Sequence, residues 1–505
     1  MEQAKEKFNP PHQLGLFGFL MITVSMVVSI YIYPTFATSG FSMIFFLLFA
    51  GILFFMPVCL TAAEMGTGGN GWSNAGVFSW GTAALGERWG FMMIYLQFMQ
   101  ISIGFVAMLY FISGAIAFLF DNPAINSPGW IQFLIIFLIF WIITLTSRGG
   151  TRITKYFASY GFIFGVIIPL ILLIIMGIIY LAGGNHVEIQ FTANKFFPNF
   201  EQLGTMVVLA SFILSFMGTE ASAVHVNHLV KPTRNYPLAI LILAILTITI
   251  GSLSGLTIAI TIPQSQISLN AGLLETFKYL LDFYGMGWIR FPIAILISLS
   301  AIGEIASWVN GPVRGMLFAA QHGILHPKMS KMNKHNMPIN LMWVQGILVS
   351  FWIILLTFGS VGGGNIAFFT AVALTVITYL TMYVLLFTSY LVLKTKYPDN
   401  PRKFNMPAWL GWIVSLLGMA CAVFAFCTTF AKPLQLQAND YGNYLIILVC
   451  AYIVIFAIPH ILYSIAKKRE ARWKEVVNEM FEKGHTIKAK CVVDEEHAQA
   501  SKTSS

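Results

Sequence analysis

Charge is what this sequence has least of. Only 10% of its 505 residues are Asp, Glu, Lys or Arg, where a soluble globular chain carries about a quarter. Acidic residues number just 20. Cysteine is also sparse: Cys59, Cys421, Cys427, Cys450 and Cys491 are scattered, with no metal-ligand or disulfide spacing. No Walker lysine loop, HExxH helix or GxSxG elbow occurs. The glycine-rich pieces GTGGNG and GSVGGGN lack a following Lys-Ser/Thr and a preceding strand, so they read as loops. These absences argue against a soluble enzyme, and no cofactor or metal is expected.

Long apolar runs fill the space that charge leaves. Hydrophobic residues make up 57% of the chain, and the mean hydropathy is +0.76. Runs of roughly 20 residues recur without alternation, which specifies membrane helices rather than a barrel. The fold class is therefore an all-α polytopic membrane protein, with about twelve transmembrane helices. The spans fall near 14–38, 42–64, 90–119, 130–147, 156–182, 203–229, 238–262, 290–316, 340–358, 366–393, 409–430 and 444–465.

Lys and Arg orient the chain. With the N-terminus inside, 25 of 29 basic residues lie on the inner side or in the tail, and only Lys195, Lys278, Arg290 and Lys432 lie outside. Both termini are then expected in the cytoplasm. The net charge of +9 belongs to inner loops rather than to a nucleic-acid interface. Residues 1–13 are polar, show no clear cleavage site and read as a cytoplasmic start. Short interfacial helices are expected within Trp72–Arg88 and Ala271–Tyr284 and, in the tail, within Lys467–Lys483. Gly484–Ser505 reads as poorly ordered.

Of the acids, only Glu64, Glu220 and Glu304 fall within or at the ends of spans. A carboxylate at bilayer depth is costly unless it faces protein or water. Glu220 follows Gly218 and Thr219 and precedes Ala221 and Ser222 in span 6, a composition that lets a helix break. Glu304 lies about 21 Å along span 8 if Arg290 opens it, by the 1.5 Å rise of a helix. Desolvation would make either acid proton-sensitive. Glu64, before the GTGGNG loop, reads equally as an interfacial cap or as a functional acid. Span 1 is interrupted at Tyr31–Gly40, where Pro34 removes a helical hydrogen bond and Thr35, Thr38 and Ser39 can serve the freed groups. Spans 1 and 6 are thus both discontinuous, five spans apart, as in a five-plus-five inverted-repeat transporter with its site where the breaks meet. Tyr379 and Tyr383 lie one turn apart on span 10. His225, one turn after Glu220, is the histidine nearest the site.

At these residues the chain resembles a known family. YPTFATSGFS (Tyr33–Ser42), PVCLTAAEM (Pro57–Met65), FILSFMGTEASAVHVN (Phe212–Asn227), EIASWVNGPVRGM (Glu304–Met316) and ALTVITYLTMYVLLF (Ala373–Phe387) look like the bacterial glutamate:GABA antiporters of the amino acid–polyamine–organocation superfamily. The likeness runs from about residue 12 to 465. It implies a ten-helix core (14–393, with repeats 14–182 and 203–393), helices 11 and 12 outside it (409–465), and a cytoplasmic tail (466–505). It implies exchange of external glutamate for internal GABA across the bacterial inner membrane. That exchange supports acid resistance alongside a cytoplasmic glutamate decarboxylase. The family's substrate path falls on Tyr31, Glu220, Glu304, Tyr379 and Tyr383. Tyr33, Thr38, Ser39 and Gly40 at the first break, Gly218 and Ala221 at the second, and Trp308 beside Glu304 complete the candidate site. Two features depart from the family pattern. An acid expected between Tyr31 and Tyr33 is Ile32, and the tail, with only His485 and His497, does not match the family's His- and Arg-bearing plug. A related amino acid exchanger or permease that takes glutamine, other neutral amino acids or amino acid/amine pairs is the alternative reading.

Overall fold

The computed structural model describes residues 15–69, 72, 76–149, 160–359, 364–433, 436 and 440–486. Within lipid the backbone must satisfy its own hydrogen bonds, and the apolar runs do so as helices. Among the described residues, eleven helical stretches are long and apolar enough to cross a membrane. This is a polytopic, all-α membrane protein. Span 1 falls outside that count because it is broken into Leu16–Val27, a 3-10 turn at Ile30–Ile32 and Tyr33–Ala37. Spans 3, 4 and 7 to 12 are unbroken helices: Glu87–Leu119, Trp130–Ser147, Pro232–Thr261, Arg290–Gln321, Ile339–Gly359, Gly364–Lys396, Ala408–Thr429 and Tyr441–Lys467.

Burial orders these helices. Spans 3 and 10 are 89% and 83% buried in their most apolar windows, whereas span 12 is 22% buried. Spans 3 and 10 therefore form the centre, and span 12 lies at the rim. The rim shows in exposed rows such as Leu134, Leu138, Ile142 and Leu145 on span 4, spaced to face lipid. Spans 2 and 5 each widen into a π turn, Gly51–Phe55 and Ile163–Ile167, just ahead of Pro57 and Pro169. Widening gives room to a ring that cannot join the hydrogen-bond ladder.

The expected interfacial helices form at Val77–Leu85, Gly272–Phe283 and Glu470–Glu482. The last packs against the connector between spans 8 and 9. Trp473 lies 5.6 Å from the His326 ring, Met332 N–H donates to the His485 carbonyl at 3.1 Å, and Gln321 donates to Thr486 at 3.2 Å. The end of the bundle that carries this tail and most of the basic loops is called the basic face below. His497 and the side chain of His225 lie outside the described residues.

Candidate functional site

Span 6 does not run through the bilayer as one α-helix. Leu209–Leu214 ends in a turn, Gly218 takes the left-handed conformation (φ 92°, ψ −5°), and Thr219–His228 continues as a ten-residue 3-10 run. A left-handed residue strains any side chain but costs glycine nothing. Runs of 3-10 helix beyond four residues are uncommon and mark hinges or strained segments.

Glu220 lies just past this break and is 1% exposed. Its Oε1 accepts from Gln97 Nε2 at 2.7 Å and from the Tyr379 hydroxyl. Its Oε2 accepts from the Tyr383 hydroxyl at 2.6 Å. The Gly218 N–H in turn donates to the Tyr383 oxygen at 2.9 Å. The two tyrosine rings lie 4.8 Å apart, and Phe54 meets Tyr383 edge-on at 5.0 Å. One carboxylate thus ties the unwound segment to spans 3 and 10. Hydrogen bonds to a charged acceptor are about twice as strong as neutral ones, more so away from water.

The first break lies upstream of the place the sequence suggests. Val28 and Ser29 are extended, and they separate Leu16–Val27 from the 3-10 turn. Pro34 is instead near the start of Tyr33–Ala37, where a missing N–H is tolerated because it has no helical partner anyway. At the break, the Ser29 hydroxyl donates to Glu304 Oε1 at 2.6 Å, which joins span 1 to span 8. Tyr31 and Tyr33 are buried. Tyr31 packs edge-on against Phe368 of span 10, and the Tyr33 hydroxyl has no hydrogen-bond partner among the described residues.

Trp308, one turn beyond Glu304, brings span 8 back to the span 6 break. A methyl group at Gly218 would lie 2.9 Å from its Cη2. Ala221 is half-buried, and its N–H bonds to the Gly218 carbonyl at 3.2 Å. Glu220, Gly218, Ala221, Tyr379, Tyr383, Glu304, Trp308 and Tyr31 therefore all lie at or beside the two breaks.

Thr38, Ser39 and Gly40 do not join them. They form the turn from span 1 into span 2. Thr38 bonds to its own helix at the Thr35 carbonyl (2.7 Å), and the Ser39 carbonyl accepts from Ser42 (2.8 Å). Gly40 (φ 56°) abuts Gln264 in the connector after span 7. Glu64 is not an interfacial cap either. It is 1% exposed and paired with Lys394 and Arg402.

Two contributors escape the sequence reading, Gln97 and Ser29. An amide in the most buried span is the signal that could have found Gln97. Ser29 precedes the proline motif and carries no such mark. Among the described residues, no group of three or more His, Cys, Asp or Glu side chains could hold a metal ion.

The family model for amino acid permeases matches residues 14–456. The chain is 42% identical to the glutamate/gamma-aminobutyrate antiporter of Lactococcus lactis subsp. lactis (strain IL1403), covering 90% of this chain and 91% of that protein. The antiporter of the same description from Lactococcus lactis subsp. cremoris (strain MG1363) gives the same figures. At 23% identity it also resembles a probable agmatine/putrescine antiporter of Lactococcus lactis subsp. lactis, over 90% of this chain and 94% of that one. A match across nearly every span, with both broken helices inside it, shows that this chain belongs to the amino acid permease family.

Proposed function

We propose that this protein is an antiporter that exchanges external glutamate for internal GABA by alternating access. The observation that carries the reading is the 42% identity, over nine-tenths of the chain, to proteins described as glutamate/gamma-aminobutyrate antiporters. The geometry supports it. An α-amino acid presents one carboxylate and one ammonium. The broken end of span 1 offers backbone N–H groups to the carboxylate. Carbonyls freed at the breaks, with Glu304, suit the ammonium. Tyr31 and Tyr33 line the path from span 1, and Trp308 closes over the span 6 break. Glu220 with Tyr379 and Tyr383 forms the gate, because releasing that clamp frees the 3-10 segment from span 10.

The ten-helix core then divides into repeats at 14–182 and 203–393, with the tail and N-terminus in the cytoplasm. The bacterial inner membrane is the natural setting. A cytoplasmic glutamate decarboxylase would consume a proton for each glutamate imported, and this exchanger would remove the product, which supports acid resistance. Ile32 favours the second reading, a related exchanger with a different pair of substrates. Without an acid between the tyrosines, the site has one carboxylate fewer near the first break.

Counterflow in liposomes decides between the two. Labelled external glutamate should accumulate against internal GABA at acidic pH, and agmatine or putrescine inside should not replace GABA. No glutamate/GABA exchange at acidic pH would refute the primary reading.

A further inference from the structure

Among the described residues, the transport site leaves one buried ionic cluster unused. Glu64, at the basic-face end of span 2, accepts from Lys394 Nζ and Arg402 Nη1 on Oε1, each at 2.5 Å. Its Oε2 accepts from the Tyr390 hydroxyl at 2.9 Å and the Met406 N–H at 3.1 Å. Lys394 Nζ also donates to Asn405 Oδ1 at 2.8 Å and to the Met406 carbonyl at 2.6 Å. Every partner comes from span 10 or from the connector that follows it. A charge cluster this deep tolerates no missing member, because each loss strands an opposite charge.

Two further contacts give the cluster a direction. Tyr379, Tyr383, Tyr390 and Lys394 are spaced by four, seven and four residues, which keeps all four on one face of span 10. The gate tyrosines and the ion cluster are thus the two ends of one helical stripe, about 16 Å apart from Tyr383 to Lys394. Two residues beyond Glu64, span 2 presses against the unwound part of span 6. A methyl at Gly66 would meet the Ala223 carbonyl oxygen at 2.8 Å. The end of span 2 therefore touches both partners of the Glu220 clamp, the 3-10 run directly and span 10 through Glu64. The connector holds it in place. Gly69 N–H donates to the Pro401 carbonyl at 2.9 Å, Phe404 N–H donates to Thr67 at 3.2 Å, and the Arg402 guanidinium lies 5.4 Å from the Trp72 ring.

We propose that Glu64, with Lys394 and Arg402, is a positioning anchor for the gate: it fixes span 10 axially to span 2, so that Tyr379 and Tyr383 reach Glu220 when the path closes. The anchor rests on the reading of Glu220 and the two tyrosines as the gate. It touches no substrate, so its loss acts on the rate of conformational exchange and leaves substrate binding in place.

The test uses the full chain in liposomes, with Glu64→Gln, Tyr383→Phe and their double variant. Glutamate/GABA counterflow and equilibrium binding of labelled glutamate are measured per folded protein. Glu64→Gln is expected to lower maximal exchange by about tenfold with KM and glutamate affinity within about twofold. Because both residues act through one clamp, the double variant should be no more than about twofold slower than the slower single variant. Multiplying losses would overturn the anchor and leave a separate structural role. Wild-type exchange by Glu64→Gln beside a slow Tyr383→Phe would refute the anchor alone. Wild-type exchange by Tyr383→Phe would remove the gate reading and the anchor with it. If Glu64→Gln does not fold, Tyr390→Phe deletes one neutral hydrogen bond to Glu64. It should slow exchange about threefold with the same non-additivity toward Tyr383→Phe, and additive loss or no loss there would equally overturn the proposal.

Discussion

Gly218 and Tyr383 hold each other across the broken helix. The Gly218 N–H donates to the tyrosine oxygen at 2.9 Å, while that hydroxyl donates onward to Glu220 at 2.6 Å. A single phenol thus satisfies a backbone group freed by the break and a carboxylate placed beside it. Substituting Gly218→Ala should disturb both. The left-handed backbone costs an alanine about 1–2 kcal/mol, and its methyl meets the Trp308 ring. Thermal unfolding of the purified protein should show a loss of that order, and counterflow should fall about tenfold or more. An alanine variant with wild-type melting and wild-type exchange would mean that the break does not need this conformation.

Gln97 contributes a donor that carries no charge. Its amide completes the set around Glu220 Oε1 from span 3. Gln97→Leu keeps the bulk and deletes the bond, which for a charged acceptor is a loss of about 1.5–3 kcal/mol. Exchange should slow roughly tenfold or more while glutamate binding changes less. Equal changes in binding and rate would instead place Gln97 in direct contact with substrate.

The Ser29–Glu304 bond makes a graded prediction. Ser29→Ala removes one donor, but Glu304 is only partly buried and can turn to water or substrate. Exchange should fall by no more than about fivefold, which matches one hydrogen bond of about 1 kcal/mol. Glu304→Gln removes the charge proposed to face the ammonium, and KM for both substrates should rise about tenfold or more. If the serine variant were the more damaging, Glu304 would serve span 1 and not the substrate.

The membrane fold was legible because lipid leaves few choices. Unbroken apolar runs such as 130–147 could only be helices, and the structure returns Trp130–Ser147. Glu220 was legible for the same reason, since a buried acid beside Gly218 is an anomaly that local composition explains. The sequence points too far downstream for the first break, because proline draws attention wherever it stands. In fact Pro34 opens a helix, and the chain breaks at Val28 and Ser29, whose side chains give no warning. Thr38, Ser39 and Gly40 read as site residues by proximity in sequence, whereas the helix Tyr33–Ala37 carries them past the break into the turn toward span 2. The partners of Glu64 were hidden for a different reason. Lys394 and Arg402 lie more than three hundred residues away, and each alone reads as an ordinary basic residue at a membrane face.

Outside the spans, the short helix Gly272–Phe283 gives a prediction about pH. Burial raises the Glu275 carboxyl above its ordinary value of 4.5, against the opposing pull of the Ser268 backbone hydrogen bond and the Lys278 charge. An acid whose folded-state value is raised favours folding most at low pH, below its unfolded value. That contribution is lost as pH rises from there through the folded value. The wild-type protein should therefore lose stability at this site as pH rises above about 4.5. Glu275→Gln should not, because an amide oxygen can still accept the Ser268 N–H and carries no charge to desolvate. Melting temperatures of the two proteins should coincide near pH 4 and separate as pH rises, with the glutamine variant the more stable at pH 7. A gap that stays constant with pH, or one that widens in favour of the wild type, would mean that the Lys278 attraction outweighs burial at this helix.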